Sequence, residues 1–271
     1  MAKAAVLGVV EGVTEYLPIS STGHLLIAER ILDVGQGDAD REAINSYTVI
    51  IQLGAILAVL VVSWRRVIQV LKGLVGRSEP GRRLLMALVV AFVPAAIIGK
   101  GGEKIISDRL LKPWPVVAAW IVGGVVLLVL WPRLAARAGH ALESLTLRQA
   151  GCIGLAQVLA LWPGTSRSLV TIMAGLAVGL ELVAAVEFSF LLGLVTLGAA
   201  TAYEGLTNGS TVIDRFGTGT PLVGIVVAAV AAFVSVRWML GWLRGRGLAV
   251  FGWYRIGVGL AVGVLLLTNA I

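Results

Sequence analysis

The chain has 271 residues, of which 58% are hydrophobic and only 14% are charged, whereas soluble domains carry about a quarter charged residues. This composition excludes an ordinary soluble domain and indicates a polytopic membrane protein. The net charge of +7 would also suit a nucleic-acid partner. It is better explained by Lys and Arg in loops that flank membrane helices, so no nucleic-acid partner is expected. The single cysteine, Cys152, excludes an internal disulfide.

A helix that crosses a membrane needs about 20 apolar residues. Six segments approach this length, namely 44–64, 84–99, 114–131, 182–203, 221–243 and 249–270. The stretch 205–220 after the fourth of these segments is the most turn-like part of the chain and is expected to be a loop.

Four further apolar pieces are too short to cross a membrane, and they form two pairs at about 3–34 and 147–180. Each pair is interrupted at its centre by a proline, Pro18 or Pro163, and by a Ser/Thr cluster. Such a pair predicts a re-entrant helical hairpin, because lipid cannot satisfy irregular backbone unless protein or a cavity surrounds it. No cleavable signal peptide is expected, since the first apolar run leads into Glu11.

The two halves of the chain are similar to each other. Residues 8–22 match 154–168 weakly in sequence, and each half consists of a hairpin followed by three spans, in 1–131 and 147–271. Three is an odd number, so the second half enters the membrane with inverted topology. The predicted fold is therefore a single all-α integral membrane domain with about six transmembrane helices, two re-entrant hairpins and an inverted-topology repeat.

The distribution of positive charge predicts the orientation. The loops at 64–84, 132–148 and 237–248 contain twelve Lys and Arg residues, whereas the other loops contain seven. Because basic loops stay on the cytoplasmic side, both termini are expected outside. The first hairpin then enters from the outer side and the second from the inner side.

Hairpin tips that enter from opposite sides should meet near the middle of the membrane. On the first hairpin Glu11 and Glu15 share one helix face. A second helix then begins within a polar cluster made of Ser20, Ser21, Thr22 and His24. The second tip carries Ser166, Arg167, Ser168 and Thr171. Two helix N-termini and a guanidinium directed at one place form a site for an anion such as phosphate.

Two carboxylates beside this site would repel an anion, and each charge inside a bilayer costs about 2.5–3.5 kcal/mol. A divalent cation bound by Glu11 and Glu15 would remove both problems, because it bridges carboxylate and phosphate oxygens. The residue types therefore predict a site for a metal and a phosphate together. Ser21 and His24 can face this site as phosphoryl acceptor and proton carrier.

Several of these residues also have a purely structural interpretation. Ser20 and Thr22 can serve as helix caps alone, and Arg167 can form a structural pair with Glu187. His140 lies in a loop and is expected to be solvated. Arg255 lies within the last span, where a structural pairing is more plausible than catalysis.

The stretches Glu11–His24 and Pro163–Thr171 resemble the two motifs of the undecaprenyl-diphosphate phosphatase family, also known as bacitracin-resistance proteins. Further similarities at 49–54, 187–192 and 254–255 extend the resemblance over nearly the whole chain. It implies an enzyme of the bacterial inner membrane that removes one phosphate from undecaprenyl diphosphate and so recycles the lipid carrier for peptidoglycan synthesis. It also implies bacitracin resistance, Mg²⁺ or Ca²⁺ as cofactor and a site that opens toward the outer face.

By motif match, the resemblance implies functional roles for Glu11, Glu15, Ser21, His24 and Arg167. It implies supporting roles in phosphate binding for Ser20, Thr22, Ser166, Ser168 and Thr171. Attack by Ser21 and attack by an activated water both stay open. A transporter or flippase of a lipid phosphate or another anion is the rival function, since inverted repeats with broken helices are typical of transporters. Membrane lipids are expected partners, and a homo-oligomer is left open.

Overall fold

The computed structural model describes residues 1–35 and 37–271, and this part of the chain is α-helical with no β-strand. Six of its helices are long and apolar enough to cross a membrane. The predicted all-α, multi-pass membrane class is therefore confirmed.

The first half begins with two short helices and continues with longer ones. Its helices are α1 (Ala2–Thr14), α2 (Ser21–Ile31), α3 (Asp38–Val62), α4 (Trp64–Leu74), α5 (Glu79–Ile105) and α6 (Pro113–Ala135). A tight turn of residues 15–20 joins α1 to α2, which fits the first predicted hairpin. A π-helical turn, Ile106–Leu110, follows α5, and α6 begins with prolines where a missing N–H has no cost.

The second half also begins with two short helices and continues with three long ones, without a counterpart of α4. Its helices are α7 (Leu147–Gln157), α8 (Arg167–Ala177), α9 (Leu182–Phe216), α10 (Gly219–Arg246) and α11 (Ala249–Leu267). A capping box of Thr146 and Gln149 starts α7, and the 3₁₀ turn Val158–Leu161 continues it toward the break before α8. The pair α7 and α8 fits the second predicted hairpin.

The two hairpins bend in the same way at matching positions. Ser20 precedes α2 with φ 74° and ψ 101°, and Ser166 precedes α8 with φ 76° and ψ 111°. Positive φ is uncommon for a residue other than glycine. The two serines also match in the sequence repeat, at positions 146 residues apart. The shared bend therefore fits an internal repeat.

Helix packing depends on small residues. Gly8 and Gly12 of α1 lie against α10, and so does Gly54 of α3. A Cβ atom at any of these glycines would overlap a backbone oxygen of α10. Close backbone contact of this kind is typical of helices that associate in lipid. This contact holds α1, and with it the first hairpin, against the body of the protein.

The prediction of a loop at 205–220 is wrong, because α9 continues through most of this stretch to Phe216. The turn-prone residues there are held in the helix by hydrogen bonds of their own side chains, from Thr207 to the Tyr203 carbonyl and from Asn208 to Glu204. Arg215 near the helix end also pairs with Asp40 of α3. Contacts with α3 thus outweigh the local turn preference.

The basic segment 64–84 contains the amphipathic helix α4 rather than only a loop. Arg66 of α4 pairs with Glu143 at 2.6 Å and with Glu187 of α9 at 2.9 Å. Its hydrogen bond holds the pKa of the Glu143 carboxyl below its usual range. Since Glu187 is occupied by Arg66, the interpretation that Arg167 pairs with Glu187 is wrong.

Candidate functional site

The turns of the two hairpins are in contact. The Ser168 hydroxyl of the second hairpin donates to the Leu17 carbonyl of the first at 2.8 Å. Arg255 of α11, which is completely buried, donates to the Gly164 carbonyl at 2.9 Å and reaches the Pro18 carbonyl at 3.5 Å. The predicted structural pairing of Arg255 is therefore made with backbone carbonyls, and it ties both turns to one position.

Three predicted site residues form one buried cluster where the turns meet. Glu15 accepts a hydrogen bond from Arg167 through Oε1 at 2.8 Å and another from the Ser21 hydroxyl through Oε2. The side chains of Arg167 and Glu15 are only 13% and 6% exposed. The chain folds in this way because Glu15 follows α1, while Ser21 and Arg167 begin α2 and α8. One carboxylate thus orients both a hydroxyl and a guanidinium.

The guanidinium of Arg167 is fixed from several sides. It donates to the Ser189 carbonyl at 3.2 Å, and its central carbon lies 5.1 Å from the centre of the Tyr16 ring. Gly193 of α9 leaves the space that the guanidinium fills, since a Cβ atom there would overlap it. The Nε atom of Arg167 has no hydrogen-bond partner among the described residues. Arg167 is therefore held in place with donor capacity left for a ligand.

Glu11 is the free carboxylate of the site. It lies one helical turn before Glu15, is 0% exposed, and neither of its oxygens has a hydrogen-bond partner in the part of the chain described. A buried carboxylate without a partner is costly and is stabilised by taking up a proton or by binding a cation, so Glu11 is a candidate cation ligand. Glu15 is already occupied by Arg167 and Ser21. The described residues contain no group of three or more His, Cys, Asp or Glu side chains that could hold a metal, so other ligands would come from phosphate or water.

The remaining hydroxyls of the second hairpin have partners within the protein. Ser166 caps α8 by accepting from the Leu169 N–H, and it also lies 3.0 Å from the Ser168 hydroxyl. Thr171 bonds to the Arg167 carbonyl and to the Ser189 hydroxyl. These side chains position Arg167 and the turn. Phosphate contacts of Ser166, Ser168 and Thr171 stay predictions, as do those of the buried Ser20 and the exposed Thr22.

His24 forms its hydrogen bonds with Ser20 and Tyr254 rather than with Ser21. Its Nδ1 lies 2.7 Å from the Ser20 carbonyl oxygen, and its Nε2 lies 3.0 Å from the hydroxyl of Tyr254. The hydroxyl of Ser21 donates to Glu15 instead. The carboxylate of Glu15 is thus the group placed to receive the Ser21 proton. His140, which was expected to be solvated, also has protein partners, because its ring nitrogens contact Ser144 and Gln149.

An apolar groove of about 780 Å³ lies beside the hairpin, between α1, α10 and α11. Its walls include Val13, Leu17, Ile19, Val230, Trp238 and Phe251. Two polar side chains line it. The Ser235 hydroxyl is already bonded to the Gly12 carbonyl, and Tyr254 is bonded to His24. The groove therefore suits a hydrocarbon chain, and Tyr254 links its lining to His24.

Sequence reasoning missed Gly193, Tyr254 and the tie made by Arg255 to both turns. The only signal for Arg255 was a charge inside an apolar span, which predicts a partner without naming it. The adjacent Tyr254 was part of the resemblance but received no role. Nothing local distinguishes Gly193 from the other 33 glycines of the chain; its importance depends on α8 lying beside it.

These features define a class of protein: a multi-pass helical membrane protein whose polar centre is built by the turns of two short hairpins. Residues 4–261 match the model of a family described as bacitracin resistance protein BacA. The chain belongs to this family.

The sequences of several bacterial proteins align with almost the whole chain. An undecaprenyl-diphosphatase of Sorangium cellulosum is 42% identical over 263 residues, which cover 96% of this chain and 84% of that protein. An undecaprenyl-diphosphatase 2 of Rhodospirillum rubrum is 43% identical over 265 residues, with coverage of 96% and 93%. An undecaprenyl-diphosphatase 1 of Chromobacterium violaceum is 42% identical over 259 residues, with coverage of 95% and 93%.

Proposed function

We propose that this protein hydrolyses undecaprenyl diphosphate to undecaprenyl phosphate and inorganic phosphate. This reaction in the bacterial inner membrane returns the lipid carrier to peptidoglycan synthesis and confers bacitracin resistance. The observation that carries the proposal is the buried cluster in which Glu15 joins the Ser21 hydroxyl to the Arg167 guanidinium. The names of relatives about 40% identical over the full chain support the same substrate.

In the first step Ser21 Oγ attacks the terminal phosphorus and its proton passes to Glu15 Oε2, the atom to which it is already hydrogen-bonded. The bond from this phosphorus to the bridging oxygen breaks, and that oxygen leaves with undecaprenyl phosphate. Arg167 and the N-termini of α2 and α8 stabilise the negative charge that spreads over the phosphoryl oxygens.

In the second step water attacks the phosphorus and the bond to Ser21 Oγ breaks. The proton on Glu15 returns to Ser21 Oγ. Of the two protons of the water, one stays on the attacking oxygen and the other passes to a phosphate oxygen. His24 stays a candidate proton carrier, but it does not take the Ser21 proton, because its ring nitrogens face the Ser20 carbonyl and the Tyr254 hydroxyl. Direct attack by a water that Glu15 activates is the alternative to the phosphoserine.

A divalent cation, Mg²⁺ or Ca²⁺, belongs to this proposal, with the buried oxygens of Glu11 as its protein ligand and Glu15 beside it. When bound, the cation neutralises charge on the diphosphate. Without a positive charge nearby, the two glutamates would repel the substrate that Arg167 attracts. We also propose that the site opens toward the outer face, as the positive-inside distribution of the loops suggests.

Phosphate release by purified protein in detergent tests the proposal. We expect release from undecaprenyl diphosphate that needs Mg²⁺ or Ca²⁺, and a fall of about 10²-fold or more in Glu15→Gln. Glu79→Gln is the matched control, since Glu79 makes only an exposed pair with Arg83. No release by wild type with either cation would reject the enzyme and favour a transporter, which needs a bilayer with two sides.

The order of the steps is tested by rapid quenching. A phosphoserine at Ser21 that forms and decays during turnover supports the covalent route. Ser21→Ala should then lose activity, whereas Ser107→Ala, a change at an exposed serine, should retain it. Full activity of Ser21→Ala would reject Ser21 as nucleophile in favour of direct water attack.

A further inference from the structure

The surroundings of His24 determine where its proton lies. Nδ1 faces the carbonyl oxygen of Ser20 at 2.7 Å, and a carbonyl can only accept a hydrogen bond. Nδ1 therefore carries the hydrogen of the neutral ring. Nε2 then holds the lone pair, and the Tyr254 hydroxyl, 3.0 Å away, donates to it. The hydrogen-bond partners of the two ring nitrogens thus determine which of them carries the hydrogen.

Tyr254 belongs to two environments at once. Its ring stacks on that of His24 with centres 5.8 Å apart and an angle of 15°, and the ring centre of Trp120 lies 4.9 Å from that of His24. Tyr254 is 42% exposed, and it lines the apolar groove between α1, α10 and α11. It therefore connects the lining of the groove to the ring of His24.

From this geometry we infer that Tyr254 is a positioning residue of the site: its hydroxyl fixes the tautomer and direction of His24 beside the groove. The inference rests on the proposed function only where it concerns turnover. A chain bound in the groove lies against the same ring whose hydroxyl holds His24. Tyr254 thus couples the apolar part of a lipid substrate to the histidine beside its phosphates.

The contact also specifies what happens when His24 gains a proton. Nε2 becomes a donor, so the Tyr254 hydroxyl must rotate about its C–O bond and accept; no proton leaves the tyrosine. The charged group that α11 brings near the ring is Arg255, whose guanidinium is directed at the Ala119 and Gly164 carbonyls. The hydroxyl therefore bonds the ring in both protonation states, and the bond with the charged ring is the stronger because it is charge-assisted. Removal of the hydroxyl thus disfavours the charged ring.

Tyr254→Phe tests the inference because it keeps the ring and removes only the hydroxyl. We expect kcat/KM for phosphate release to fall by about tenfold at most near neutral pH, as for one hydrogen bond. The acid limb of the pH profile should move to lower pH by up to about one unit, because the charged ring loses the stronger bond. Tyr203→Phe is the matched control, since Tyr203 lies exposed on α9, and its profile should coincide with that of wild type.

A second measurement does not depend on turnover. The chain has two histidines, so ¹⁵N-histidine NMR of the full chain in detergent, assigned with His140→Gln, reports the tautomer of His24 directly. We expect hydrogen on Nδ1 and a shifted Nε2 resonance in Tyr254→Phe. An unshifted Nε2 would overturn the contact, and a shifted Nε2 with an unchanged pH profile would overturn its role in the reaction. Absence of phosphate release in wild type would reject the proposed function instead. The NMR result would still test the contact between His24 and Tyr254.

Discussion

At the scale of single residues, the site depends on charges that the protein buries and fixes. Arg167 and Glu15 form an ion pair that is almost inaccessible to solvent. The desolvation of such a pair offsets most of its attraction, so it contributes little to stability. Its effect is on geometry, because the carboxylate that holds Arg167 also holds Ser21. The pair therefore keeps the Ser21 hydroxyl and the Arg167 guanidinium at fixed positions in the absence of substrate.

Gly193 gives a test of this geometry that leaves every charged residue in place. We expect Gly193→Ala to displace the Arg167 guanidinium, because the new methyl group would occupy its space. Overpacking of this kind costs about 1–3 kcal/mol. Phosphate release should fall by at least about tenfold, with a modest loss of thermal stability.

Gly198→Ala is the control for this variant, since Gly198 lies on the same helix with open space around it. It should retain activity and gain slightly in stability, because alanine favours a helix more than glycine does. Equal activity of the two variants would show that Arg167 does not need the space above Gly193.

The residue types of the site could be inferred from sequence, but its contacts could not. Glu11, Glu15, Ser21 and Arg167 are charged or polar groups in apolar surroundings, and that contrast is visible in the sequence. The partner of each depends on how α1, α8 and α11 pack, which no local pattern records. For the same reason the sequence predicts that His24 and Ser21 face one site but does not identify the hydrogen-bond partner of His24, Tyr254, which lies 230 residues further along the chain.

At the scale of elements, the position of the first hairpin depends on the contact between α1 and α10. Gly12 lies directly against the backbone of α10, and the carbonyl of the same residue accepts from Ser235. Glu11 is its neighbour in sequence, so a shift of α1 also moves the free carboxylate of the site. The tight contact thus links helix packing to the site.

Two identical substitutions test this contact with opposite expected signs. Gly12→Ala should lower the thermal unfolding temperature in detergent, because the added Cβ overlaps the Ala228 carbonyl oxygen. Gly241→Ala on α10 itself meets nothing within 4 Å, and it should raise stability by up to about 1 kcal/mol. A stabilising effect of Gly12→Ala would mean that α1 and α10 are not in backbone contact.

The existence of the elements was easier to predict than their ends. Pro18 and Pro163 interrupt apolar runs, so both hairpins were visible in the sequence. The extension of α9 was not, because Gly205, Asn208 and Gly209 favour turns locally. They are helical because Val212 is buried against the body of the protein and Arg215 pairs with Asp40.

At the scale of the whole molecule, Arg255 connects the last helix to both hairpin turns. Its guanidinium fills the space left by Gly123 of α6 and donates to carbonyls of three separate segments. Breaking a buried charged network of this kind costs about 3–5 kcal/mol. The two halves of the chain are thus joined at the site rather than only at their surfaces.

The orientation of the molecule in the membrane is a prediction that labelling can test. In a Cys152→Ser background, Asn269→Cys near the C-terminus should react with a membrane-impermeant maleimide in intact cells. Arg77→Cys should react only after permeabilisation, because it lies in the most basic loop. The background protein without either cysteine is the control. The reverse pattern would place both termini inside and reject the predicted orientation.

The shared bend at Ser20 and Ser166 has a consequence for the origin of the site. The next residue is Ser21 in one hairpin and Arg167 in the other, although the backbone before each is the same. An ancestor assembled from two identical half-length chains would present the same side chain at both positions, either serine twice or arginine twice. A serine on one hairpin and an arginine at the matching position of the other become available only when the two copies can mutate independently, as they can after gene duplication.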